Sequence, residues 1–118
     1  MTDLLNPPGK TTIAPDVLTT IARLTALSVP GVSRLATIPG GVNRLFKRGI
    51  NEGVRLVVEN NMVYADLYVI LTHDVNVREV SRTVQNKVTR AISEMVGLEV
   101  GHVNIHIEDI DFSSDENV

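Results

Sequence analysis

The sequence predicts an α+β fold, a two-layer α/β sandwich in which a mixed four- or five-stranded sheet carries two main helices on one face. Three observations point there. The stretch VRLVVENNMVYADLYVIL alternates its side chains on either side of Asn60 and Asn61, as a hairpin with a tight turn does. Val77, Val80, Val84, Val88, Ile92 and Met95 step by three and four, which lines one face of a helix of about five turns. The apolar period changes along the chain in the order strand, helix, strand, hairpin, helix, strand, and two amphipathic helices can cover only one face of the resulting sheet.

Each element carries its own signals. Residues 1–8 are polar and contain Pro7 and Pro8, so a flexible N-terminus is expected ahead of a domain spanning 9–112. GKTTI, residues 9–13, reads as a short strand. A helix follows from about Pro15 to Ser28, with Val17, Ile21 and Leu24 expected on its inner face. Pro15 suits the first helical turn, and Pro30 pushes Val29 out of the helical region. GVSRLA reads as a second short strand, and residues 36–53 form a long basic loop.

In the hairpin, a two-residue loop needs positive φ at both central positions, which Asn tolerates best after Gly. That turn dictates the register. Glu59 falls opposite Met62, Arg55 opposite Asp66 and Val57 opposite Tyr64, with Val58/Val63, Leu56/Ala65 and Val54/Leu67 on the other face. For the second helix, Asn76 with Glu79 makes a capping box, and Gly97 followed by Leu98 reads as a left-handed C-cap with its hydrophobic contact. The last strand puts Val103, Ile105 and Ile107 on one face, and residues 113–118 form an acidic flexible tail.

Composition narrows the chemistry. The chain has 118 residues, 43% of them apolar, but its aromatics are only two Tyr and two Phe, so aliphatic side chains must build the core. It has no cysteine, which excludes disulfides, thiolate zinc sites and cysteine nucleophiles and suits a reducing compartment. MTDLLNPPGK lacks the basic and apolar regions of a signal peptide. The longest useful apolar run, LYVIL, falls far short of the roughly 20 residues of a membrane helix, so a soluble chain is expected. Net charge is −3, yet residues 94–118 hold seven acids and no base. That acidic end opposes phosphate backbones.

Taken together, the element order, the PGV after the first helix, GVRLVV entering the hairpin, VSRTVQNKVTRAISEMVGLEV and VNIHIEDIDF resemble the alkaline shock protein family, also called envelope stress response proteins. The resemblance covers about residues 9–112 and includes the pattern Gln85, Val88, Gly97, Leu98, Val103, Asn104. It implies a bacterial, cytoplasmic, non-enzymatic protein associated with envelope stress, held at the inner side of the membrane through a partner, without cofactor or catalytic residues. Two departures stand out: the family often has a glycine near the position of Asp74, and residues 36–53 lie in a segment that varies.

His102 and His106 invite a metal reading, but four strand positions span roughly 13 Å at about 3.3 Å per residue, too far to share one ion. A solvated strand explains them. His73 and Asp74 sit between a strand and a helix start without a glycine-rich phosphate loop, and turn and capping chemistry accounts for them. The face without helices gathers Arg55, Val57, Tyr64, Asp66, Tyr68, Ile70, His102, Asn104 and His106. Cross-strand packing explains such residues, and so does a contact surface, since Tyr is enriched in interfaces. Arg44, Phe46, Lys47 and Arg48 make the long loop a second candidate contact, for an acidic partner, nucleic acid or lipid headgroups.

The leading expectation is therefore an interaction or scaffold module whose open sheet face mediates self-association or docking to a membrane-bound protein. An RNA-binding module is the alternative, because an open sheet with Tyr side chains resembles a base-stacking platform. Against it stand the acidic last strand and the lack of two glycines spaced as in a GXXG loop. An enzyme is least supported, since no nucleophile, base or metal-ligand cluster supplies a reaction class, and no small-molecule substrate is indicated.

Overall fold

In the computed structural model, which describes residues 9, 12–37 and 53–113, the hairpin forms in the register its turn dictates. Asn60 and Asn61 both take positive φ, 52° and 65°, and all six predicted cross-strand pairs from Val54↔Leu67 to Glu59↔Met62 are present. The element order is α1 (Pro15–Leu27), β1 (Val32–Leu35), β2 (Val54–Glu59), β3 (Met62–Thr72), α2 (Val77–Val96) and β4 (Glu99–Asp111).

These strands make a four-stranded mixed sheet centred on β3. β2 and β1 pair antiparallel with the first and second halves of β3. Along the opposite edge β4 runs parallel to β3 over its whole length, from Met62↔Glu99 to Thr72↔Asp111. A parallel neighbour requires a crossover connection, and α2 supplies it. The junction between β1 and β2 is closed by one residue of β3: the Ala36 N–H donates to the Tyr68 carbonyl at 2.7 Å, and the Tyr68 N–H donates to the Gly53 carbonyl at 2.9 Å.

Both helices lie on one face, and the core between them and the sheet is aliphatic. Val63, Ala65, Leu67, Val69 and Leu71 of β3 are fully buried, as are Val84, Val88 and Ile92 of α2. The Asn76 side chain accepts from the Glu79 N–H at 3.0 Å, one half of the expected capping box. Gly97 closes the helix in the left-handed region at φ 82°, and Leu98 packs against the core.

Three expectations need correction. The inner face of α1 is Leu18, Ala22 and Ala26, with Ile21 beside it, whereas Val17 and Leu24 are 46% and 55% exposed. Ala22 and Ala26 are small enough to seat that face against the core, and Val17 and Leu24 fall on the side turned to solvent. The valine stripe of α2 is buried only in its middle, since Val77 and Met95 at its ends lie exposed. In the strand expected over 9–13, Gly9, Thr12 and Ile13 are not in a strand; Lys10 and Thr11 lie outside the described residues. Also outside them are the expected flexible N-terminus 1–8, residues 114–118 of the expected C-terminal tail, and the basic-loop residues Arg44, Phe46, Lys47 and Arg48.

Candidate interaction surface

On the face of the sheet turned away from the helices, the side chains form cross-strand ladders. Side chains of a strand alternate between faces, so the register brings together Val57, Tyr64 and His102 in one row, Arg55, Asp66 and Asn104 in the next, and Tyr68 with His106 in a third. Every predicted residue of this surface lies on this face, with Ile70 at its far end between Arg34 and Asp109 in register.

The rows are tied together through Asp66. Its Oδ1 accepts from Asn104 Nδ2 at 3.1 Å and lies 3.0 Å from His106 Nε2. An ionised carboxylate only accepts, so Nε2 of His106 carries the hydrogen. Partial burial pushes the Asp66 carboxyl up, but the hydrogen bonds from His106 and Asn104 and the fields of His106 and His102 outweigh it and hold its pKa below the usual 3.8.

Aromatic contacts complete the surface. The His106 ring stacks on Tyr68 at 4.5 Å between centroids and 12° between planes, while His102 meets Tyr64 at 5.0 Å and 57°. Tyr68 was expected to stand uncovered, yet it is only 9% exposed, because His106 lies over it; Ile70 is 8% exposed. The accessible part of the surface is the Val57, Tyr64, His102 row and its Arg55 and Asn104 neighbours, where Val57 is 47% exposed.

Sequence reasoning missed two devices that shape this face. Gly101 is the extra residue in a bulge between Val100 and His102, and a Cβ there would meet the ring of Tyr64. The glycine inside a strand pattern was the available signal. At the other end Asp111 reaches across β3 and accepts from Ser33 Oγ at 2.6 Å and Arg34 Nη1 at 3.0 Å. It also accepts from Ser113 Oγ and N–H. The Ser113 and Ser33 hydrogen bonds, with Arg34 behind them, hold its carboxyl well below the usual carboxylate range.

His73 and Asp74 stay apart from this surface. Nδ1 of His73 lies 3.1 Å from the Asp74 carboxylate, and its ring stacks on Phe112. Asp74 takes φ 64°, the backbone region where glycine is at home. No group of three or more potential metal ligands exists among the described residues.

Comparison with known proteins adds family and fold. A family profile described as alkaline shock protein 23 family, cell envelope-related function, matches residues 5–112. YqhY of Bacillus subtilis, an uncharacterized protein, is 31% identical over 108 residues, covering 90% of this chain and 80% of that one. An uncharacterized protein of Streptococcus pyogenes is 34% identical over 103 residues, covering 86% of this chain and 79% of that one. Among solved structures, the C-terminal domain of MamM superposes with a TM-score of 0.53 at 12% identity, covering 83% of this chain and all of that domain, 100%. A zinc form of the same domain gives 0.52 at 11% identity, covering 83% of this chain and 88% of that one. At such identities the likeness concerns the fold, a small α/β domain.

Proposed function

Because the chain belongs to the alkaline shock protein 23 family, whose described function is cell envelope-related, we propose that it is a non-enzymatic docking module of the envelope stress response. Its open sheet face binds a membrane-bound protein from the cytoplasmic side. The observation that carries this reading is the row formed by exposed Val57 and His102 with half-buried Tyr64 between them, beside Arg55 and Asn104, on a face that neither helix covers. An apolar and aromatic centre with a polar rim is the composition of a protein interface. In this reading contact with the envelope runs through a partner; among the described residues no helix is long and apolar enough to cross a membrane. The matching family description names an envelope-related role and no reaction. Base stacking has less support, since the Tyr68 ring is already stacked on His106.

The test is cosedimentation of the purified chain with membranes of its source organism. The parent should pellet with native membranes but not with protein-free lipid vesicles or protease-stripped membranes, and Val57→Glu with His102→Glu should abolish pelleting while leaving the melting temperature within a few degrees. Equal pelleting of the double variant would refute docking through this face. Pelleting with pure lipid would refute a protein partner.

A further inference from the structure

The outer edge of β4 carries information that the open face does not. Tyr68 directs both backbone groups toward β1 and β2, so its neighbours Leu67 and Val69, and with them Val63, Ala65 and Leu71, direct theirs toward β4. In a parallel pair, the residue opposite one that faces its neighbour strand faces away. Val100, Val103, Ile105, Ile107 and Ile110 are the residues opposite these five, so their N–H and C=O groups point out from the sheet. One contact supports this directly. The side chain of Gln85 on α2 reaches round to donate to the Val103 carbonyl at 3.0 Å. Among the described residues no strand pairs with this edge.

The outward row is a palindrome. Counted from Ile105, the outward residues stand at two and five positions on either side, because an irregularity in the ladder follows Val100 and another follows Ile107. Two copies of β4 laid antiparallel with Ile105 on the twofold axis therefore keep their outward groups in phase across both irregularities. A shift of two positions either way throws the outer residues out of phase. In the symmetric register Val103 meets Ile107 of the second copy, Asn104 meets His106, and His102 meets Glu108, so over the centre apolar faces apolar and an imidazole faces a carboxylate, twice by symmetry, while the like charges Glu99 and Asp111 meet only at the two ends of the strand. Exposed edges are normally guarded by charge, proline or cover. The central VNIHI has neither charge nor proline, and among the described residues its one guard is Gln85.

We propose that β4 is a self-pairing edge, joining two copies of this chain into one continuous sheet in the register centred on Ile105, with Gln85 as the internal cap that pairing displaces. The proposal does not rest on docking through the open face, and either can fail alone. The chain has no cysteine, so a single introduced one reports one position. Ile105→Cys should cross-link to dimer under mild oxidation, because residues facing on the axis lie within disulfide reach. His102→Cys alone should not, because its symmetry mate lies six positions away, roughly 20 Å, but His102→Cys mixed with Glu108→Cys should. Light scattering of the parent should rise from one chain mass to two between micromolar and millimolar concentration. Gln85→Ala should shift that rise to lower concentration, and Ile105→Pro should abolish it while circular dichroism stays that of the parent, since Ile105 gives no hydrogen bond to β3. A parent monomeric throughout, an Ile105→Cys that fails to cross-link, or a His102→Cys that cross-links equally well by itself would each overturn the proposal.

Discussion

Replacing Gly101 by alanine tests whether the bulge exists to seat Tyr64. The glycine has no positive φ, so alanine fits the backbone and, taken alone, would stabilise by about 0.4–1 kcal/mol through a less flexible unfolded chain. Against this, the new Cβ would lie 2.7 Å from Tyr64 Cδ1 and 2.9 Å from Cζ. The ring cannot swing away freely, being held by His102 at 5.0 Å and by a hydroxyl contact to Met62 Sδ at 3.6 Å. Overpacking of this kind costs about 1–3 kcal/mol, so a net loss of about 1–2 kcal/mol is expected. In a Tyr64→Ala background the obstacle is gone and the same change should become neutral or stabilising. Urea unfolding of the four proteins gives the coupling directly, expected at about 1–3 kcal/mol for residues in contact. An equal effect of Gly101→Ala in both backgrounds would refute the reasoning.

Two further predictions concern stability. The Asp66 carboxyl has its pKa lowered in the fold, so its stabilisation is fully present above the ordinary value of 3.8 and is lost as pH falls through the native value. The gap in urea midpoint between the parent and Asp66→Asn should therefore be widest above that pH and close below it; a constant gap from pH 6 to 2 would rule out the linkage. Asn76→Ala removes the 3.0 Å cap on the Glu79 N–H and should cost about 1 kcal/mol, measured by urea unfolding, whereas Asn76→Asp should retain most of it.

How far the fold could be read from the chain differed by element, for physical reasons. The hairpin and α2 were legible because their signals are local: Asn60 and Asn61 set a register, and Asn76 and Gly97 mark two helix ends. The face of α1 was not, because hydrophobicity favours Val17 and Leu24 while close packing selects Ala22 and Ala26. The residues of the open face were placed together correctly, since strand parity and hairpin register suffice for that. Their accessibility was not legible, because it depends on His106 lying over Tyr68, and hence on β4 being the parallel neighbour of β3. Asp111 bonding Ser33 and Arg34, some 78 and 77 positions away, is likewise a product of strand order, which no local pattern encodes.

The single-residue junction at Tyr68 has a bearing on how such chains diversify. Ala36 and Gly53 are bonded to the same residue of β3, so the chain between them begins and ends at one point of the sheet. Closing a loop whose ends are already pinned costs little more when the loop grows, about 0.6 kcal/mol for each doubling of its length. An insertion made between these two anchors therefore bears on the sheet at a single residue, which makes this junction the place where an engineer adding a foreign epitope should meet the least toll on how the molecule folds.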